Sequence, residues 1–256
     1  MKVVILAGGM GTRFPEETDV KPKPMVEIGG KPILWHIMQH YSGYGFNEFV
    51  ICLGYRGESV KRFMMEFAKL NSNMTVKLRS GDIMRHGEGA QCHWTVDLVD
   101  TGVNTETGGR IKRVREYIGN APFMMTYGDG VCDVNLTELL AFHKKQGKLA
   151  TLTAVHPPAR FGHMHIDGEL ITKFSEKSQV EAGWINGGFF VLEPKIFDYI
   201  DGDETWFERD VLDKLASEKQ LTAFKHGNFW QCMDTLRDKR LLEELWDSGK
   251  APWKVS

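Results

Sequence analysis

The sequence predicts an α/β fold whose sheet is mainly parallel and covered by helices on both faces. Three observations predict it. The run Val-Val-Ile-Leu-Ala at 3–7 has no polar alternation, as expected of a strand buried on both sides. Strand-like and helix-like segments then alternate through the first half of the chain, which is the signature of stacked β-α-β units. The chain has 256 residues and is 42% hydrophobic, enough to bury a sizeable core in one large domain.

The elements follow in order. Val3–Ala7 is the first strand, and Ile33–Tyr44 has the spacing of a helix with one apolar face. Glu48–Leu53 reads as a strand and Gly57–Leu70 as a helix. Met74–Arg79 and His93–Val99 read as further strands, Gly108–Ile118 as a helix and Pro122–Tyr127 as a strand. Val134–Gln146 is the next helix and Ala150–His156 the next strand. In the second half, Gly162–Ile166 and Leu170–Phe174 flank Asp167-Gly168 as a hairpin. Trp184–Leu192 reads as a strand, with helices over Phe207–Ser217 and Thr235–Trp246. No seam separates the halves, so residues 1–256 are expected as a single domain. Its first half, about 1–133, would bind a ligand at the strands' carboxyl ends, and its second half, about 134–256, would complete the site.

Composition removes several function classes. The formal net charge of −2 gives no general affinity for polyanions, and no basic stripe suggests nucleic acid. No apolar run approaches the ~20 residues of a membrane span. The basic-then-apolar start is a strand, since its apolar run is short and glycines follow at once. Four scattered cysteines (Cys52, Cys92, Cys132, Cys232) without a CxxC pair suit a reducing, cytoplasmic setting.

The informative loops are those immediately after strands. Leu6-Ala7-Gly8-Gly9-Met10-Gly11-Thr12-Arg13 leaves the first strand through three glycines, which let backbone N–H groups approach an anion. It is not a P-loop, because G-x-x-x-x-G-K-[ST] is missing, nor a dinucleotide fingerprint, because Phe14 stands where the third glycine belongs. A structural turn explains such glycines as readily, but Arg13 adds a fixed cation suited to phosphate. Lys21-Pro22-Lys23-Pro24 is a stiff cationic segment, and Asp129 follows the strand Pro122–Tyr127 after Gly128. Asp234 precedes the last helix, where an N-cap is the ordinary explanation.

Taken together, LAGGMGTR, KPKPMVEIGGKPI and Tyr127-Gly128-Asp129 resemble the sugar-nucleotide pyrophosphorylases, the sugar-1-phosphate nucleotidyltransferases. The similarity runs along nearly the whole chain. It implies a Rossmann-like α/β nucleotidyltransferase fold, a mainly parallel mixed sheet flanked by helices, with a small β-rich sugar-binding part. It also implies roles. Leu6, Ala7, Gly8, Gly9, Met10, Gly11, Thr12, Arg13 and Lys23 would meet the nucleotide, with Gly128 beside them. Asp129 and Asp234 would hold Mg²⁺, an ion satisfied by one or two carboxylates plus phosphate oxygens and water. Glu176-Lys177 resembles the family's Glu-Lys pair, whose lysine meets the sugar phosphate. Gly162, Asn186, Gly187 and Gly188 resemble residues bordering the sugar. Arg13, Lys23 and Lys177 would then carry the reaction, because phosphoryl-type transfer needs positioning and charge neutralisation.

The base loop departs from the thymidylyl and uridylyl pattern. Asn104 and Thr105 stand near the base-reading glutamine of those relatives and Gly109 aligns with their glycine, while Arg110 and Lys112 replace small residues. Cytosine presents O2 and N3 as acceptors, whereas uracil and thymine carry a donor at N3, so an added cationic donor suits cytosine. The VDTG…TGGRIKR form resembles the branch of the family that acts on CTP and glucose 1-phosphate. That branch feeds bacterial surface-polysaccharide assembly, and its members are usually homo-oligomers. Two alternatives stay open on the sequence: the same chemistry with UTP, dTTP or GTP, and a non-catalytic sugar-nucleotide binder. Two further segments carry no decision. Trp246–Trp253 suits either a subunit contact or a packed terminal helix, and Gly81–Gln91 suits a mobile glycine-rich loop.

Overall fold

The structure is a computed structural model that describes residues 1–11, 14–18, 21–71, 73–86, 93–158, 163–175 and 183–254. Strand β1 (Lys2–Ala7) leads through a one-turn helix α1 (Pro15–Thr18) and a small ribbon, β2 (Glu27–Ile28) and β3 (Lys31–Pro32), into α2 (Ile33–Gly43). Then come β4 (Glu48–Leu53), α3 (Gly57–Leu70), a hairpin of β5 (Asn73–Lys77) and β6 (Asp82–His86), and β7 (Thr95–Asp100). Helices α4 (Thr107–Arg113) and α5 (Arg115–Ile118) precede β8 (Phe123–Tyr127), β9 (Gly130–Cys132), α6 (Leu136–Gln146) and β10 (Ala150–Val155). The last third holds the hairpin β11 (His163–Asp167) and β12 (Leu170–Ser175), then β13 (Ile185–Leu192). It ends with α7 (Asp213–Ser217), β14 (Leu221–His226), β15 (Trp230–Cys232) and α8 (Leu236–Asp247).

Seven strands make the central sheet in the order β14-β10-β13-β8-β1-β4-β7. Pairings β8–β1, β1–β4, β4–β7 and β10–β14 are parallel, and β13 runs antiparallel to both its neighbours. The expected mainly parallel mixed sheet is therefore present. Strand alternation explains its two-sided core. From β1 and β4, Val3, Ile5, Phe49 and Ile51 face α2 and the terminal helix, packing with Ile37, Tyr41 and Leu242. Val4, Leu6, Val50 and Cys52 face the opposite way, against Ile111, Phe197, Phe207 and Val211. Both clusters are buried, so removing a large side chain from either costs about 2–5 kcal/mol.

Several expectations need adjustment. The helix at 108–118 is two pieces meeting at Val114, without a proline or glycine at the break. The helix at 207–217 opens with a π-helical turn over Phe207–Leu212, a feature frequent at functional sites. Gly81 closes the turn into β6, so the first part of the glycine-rich segment is a strand, and 87–92 lie outside the described residues. Trp253 is buried and stacks on Trp246 and Phe229, which makes the chain end a packed element of the core. Among the described residues, no helix is long and apolar enough to cross a membrane.

Candidate active site

A cavity of about 850 Å³ opens at the carboxyl ends of β1 and β8, where an open α/β sheet presents its loops. The sequence places four things there: the glycine turn after β1, Lys23, the base loop before α4, and the two aspartates. Gly8–Gly11, Asn104, Thr105, Arg110, Gly128, Asp129, Asn186 and Asp234 all line it, with Leu6 and Ala7 beneath. Gly109 is absent from that lining. A side chain there would meet the Asp203 backbone at 2.6 Å, so this glycine is needed for close packing of α4 on the 203–205 loop. An added Cβ would meet Thr153 and Val155 at Gly187 and Tyr127, itself a lining residue, at Gly188. Thr12, Arg13, Gly162, Glu176 and Lys177 lie outside the described residues.

The glycine turn is shaped by its neighbours. Gly11 has φ +66°, the left-handed region that favours glycine. Gly8 lies so close to the Arg110 guanidinium that a Cβ would fall 2.0 Å from its Nη1. At the end of β8, Gly128 donates to the Leu6 carbonyl at 3.0 Å, and an added Cβ would meet that same oxygen and Pro24. Glycine at 128 thus lets Asp129, Pro24 and the end of β1 meet.

Arg110 is buried and frames the base loop. Its Nη1 donates to Leu53 O (3.2 Å), Thr101 Oγ1 (2.9 Å) and Gly102 O (2.7 Å), and Nη2 donates to Val103 O (3.2 Å). Burial pulls its pKa down, against the pull of Cys52 and Glu106, but a guanidinium stays charged. Lys112 behaves differently: its ammonium donates to the Ile200 and Asp201 carbonyls at 2.6 and 2.7 Å, tying α4 to a neighbouring loop.

The carboxylate corner is the most charged part of the cavity. Lys23 Nζ donates to Asp129 Oδ2 at 2.7 Å and also to Asp234 Oδ1, although the two aspartates are 105 residues apart in sequence. Burial works against the Lys23 charge, but Asp129 and Asp234 outweigh it and hold the ammonium above its ordinary pKa. Asp234 is not the N-cap of the last helix. Thr235 takes that role in a reciprocal capping box with Asp238, which also accepts from the Asp234 N–H. The Asp234 carboxylate is thereby left to face the cavity.

The donor set fits the Mg²⁺ that the sequence resemblance implies. Two hard carboxylate oxygens converge on a single cationic point, the chemistry that ion prefers. Cys232, the soft donor nearby, is pushed up to about 12 by burial and by Asp234, so it stays a thiol that donates to Asp234 Oδ2 at 3.7 Å.

A third group was not legible in the sequence. Tyr127 donates to Glu208 Oε1 at 2.6 Å, Thr107 donates to Glu208 Oε2 at 2.7 Å, and the Asn186 amide donates to Tyr127 Oη at 3.2 Å. Burial together with Glu208 pushes the Tyr127 phenol far up, so it remains a neutral donor. Trp230 lines the cavity as well and donates from Nε1 to the Gly187 carbonyl at 2.7 Å. Glu208 sits on the π-helical turn Phe207–Leu212, which the sequence pattern did not announce.

A family model for nucleotidyl transferases matches residues 2–238. The chain belongs to the nucleotidyl transferase family. It is 51% identical over 256 residues to the glucose-1-phosphate cytidylyltransferase of Salmonella typhi, covering 100% of this chain and 99% of that protein. A Bacillus subtilis (strain 168) protein named probable glucose-1-phosphate cytidylyltransferase is 41% identical and covered end to end. Among solved structures, HddC from Yersinia pseudotuberculosis, complexed with GMP-PN, superposes with a TM-score of 0.71 over 96% of this chain and 99% of that one. At 24% identity that likeness concerns the fold alone. The family model and the full-length relatives agree with the motifs from which the sequence resemblance was drawn.

Proposed function

We propose that this protein transfers a cytidylyl group from CTP to α-D-glucose 1-phosphate, releasing diphosphate and forming CDP-glucose. The observation that carries the reading is full-length identity of 51% to a glucose-1-phosphate cytidylyltransferase, in a chain whose glycine turn, lysine and paired aspartates meet in one cavity. In the reaction, a phosphate oxygen of the sugar phosphate attacks the α-phosphorus of CTP. The bond to the β-phosphate oxygen breaks, and that oxygen leaves with diphosphate. No proton need be abstracted by the protein, so the work is alignment and neutralisation of charge.

The residues divide that work. Backbone N–H groups of Gly8–Gly11 face the triphosphate, and Arg13 and Lys23 offset its charge as diphosphate leaves. Asp129 and Asp234 would hold Mg²⁺, which when bound neutralises phosphate oxygens. Lys177, with Glu176, aligns the attacking sugar phosphate, and Gly162, Asn186, Gly187 and Gly188 border the sugar. In the base loop, Asn104 and Thr105 line the cavity, and Gly109 lets α4 pack closely beneath them. Arg110 supports the choice of cytosine: four protein acceptors occupy Nη1 and one edge of Nη2, while the side chain still lines the cavity. Its remaining N–H groups suit the O2 and N3 acceptors of cytosine and oppose the N3–H of uracil.

Product identification tests the reading. Incubation with CTP, Mg²⁺ and glucose 1-phosphate labelled with ¹⁸O on phosphorus is expected to give CDP-glucose with the label at the glucosyl phosphate. Absence of CDP-glucose, or a label recovered only in diphosphate, would contradict it.

A further inference from the structure

Lys23 is asked to be in two places. As a phosphate-facing cation it belongs beside the glycine turn, yet its buried ammonium lies between the carboxylates of Asp129 and Asp234. A divalent ion held by the same two oxygens at ~2.0–2.1 Å would lie inside the volume that this ammonium fills. The two cations cannot share that point, and their like charges repel at such range.

The surrounding chain allows the side chain alone to move. Lys23 starts a short 3₁₀ turn, Lys23–Met25, flanked by Pro22 and Pro24, and all three residues of the turn are buried. Its φ neighbours are fixed by proline rings, whereas the four-carbon stem keeps rotatable bonds. Lys23 and Gly8–Gly11 line the same cavity, so a swing of the stem exchanges carboxylates for the triphosphate position.

We propose that Lys23 is an internal placeholder for the divalent cation. In the nucleotide-free protein the ammonium neutralises Asp129 and Asp234 and keeps a divalent ion out. A triphosphate offers the ammonium another set of anionic oxygens, which withdraws it from the carboxylates and couples metal binding to nucleotide binding. Linkage makes the coupling reciprocal, so each ligand strengthens the other by the same factor. This rests on the cytidylyltransferase reading only for the identity of the anionic ligand. An ammonium that fills the corner about nine-tenths of the time weakens the apparent metal affinity about tenfold.

The test is a Mn²⁺ titration of nucleotide-free protein, read by electron paramagnetic resonance of the free ion. Wild type is compared with Lys23→Met, and with Asp129→Asn to assign the site. The expected result is Asp129-dependent Mn²⁺ binding that is about tenfold or more tighter in Lys23→Met, with a larger Mn²⁺-induced rise in Tm than wild type shows. If Lys23→Met does not fold, Lys23→Gln replaces it, with the same expectation. Equal or weaker Asp129-dependent affinity in the variant would overturn the placeholder and leave the metal site standing. No Asp129-dependent binding in any of the proteins would overturn the metal assignment, and the placeholder with it.

Discussion

Arg110 and Lys23 both carry positive charge into the cavity, and they are held in opposite ways. The Arg110 guanidinium is locked by the main-chain carbonyls of Leu53, Gly102 and Val103 and by the Thr101 hydroxyl. Lys23 is held by two carboxylates, groups that a metal ion can claim and a phosphate can replace. Neutral carbonyls that no ligand competes for make a permanent frame, while charged partners make an exchangeable contact. On the proposed reading, the Arg110 end selects the base and the carboxylate corner responds to ligands.

The largest expected effect breaks the corner. Asp129→Ala is expected to lose about 10³-fold or more in turnover, roughly 4 kcal/mol of transition-state stabilisation, while circular dichroism shows an intact fold. Wild-type-like diphosphate release from that variant would remove the corner from the mechanism. Next comes the frame. Arg110→Met leaves several buried carbonyls without a donor and is expected to cost about 3 kcal/mol, a Tm fall of roughly 6–12 °C. Lys23→Met should lower Tm less than Arg110→Met; the reverse order would invert the comparison.

Acid titration separates the corner from the helix packed behind it. His40 on α2 is buried, and burial pushes its imidazole down to about 4, while its Nε2 bonds the Val134 carbonyl at 3.0 Å. The unfolded chain takes up that proton near pH 6.5 and the folded one does not, so stability falls as pH drops from about 6.5 to 4. The loss from this group reaches about 3 kcal/mol. His36, also lowered by burial, acts in the same direction. His40→Gln should flatten the acid limb of a urea-denaturation series, and an unchanged limb would place the acid sensitivity elsewhere. The smallest effect concerns the strut between the two ends: Glu208→Gln is expected to raise the KM for glucose 1-phosphate several-fold, about 1 kcal/mol, with little change in the KM for CTP.

What the sequence made legible follows the same division. Strands β1 and β4 could be read because both their faces are buried, which leaves an uninterrupted apolar run. The glycine turn and Asp129 were legible because they follow such strands directly. Asp234 needed the family resemblance, since locally it looked like a helix cap that Thr235 in fact supplies. Three features gave no local sign. Among the described residues strand β6 pairs only with β5, and it exposes Ile83 and Met84, so its pattern shows no buried face. The break at Val114 has no helix-breaking residue. Glu208 joins the site by bonding Thr107 and Tyr127, 101 and 81 residues away, a distance no motif spans.

The most direct measurement is diphosphate release from glucose 1-phosphate with CTP, UTP, dTTP, ATP and GTP in turn, each with Mg²⁺ and with chelator. The account predicts release with CTP, little with the other four, and loss of the CTP signal on chelation. Equal rates with UTP or dTTP would contradict the role given to Arg110, and CTP turnover that survives chelation would contradict the role given to Asp129 and Asp234.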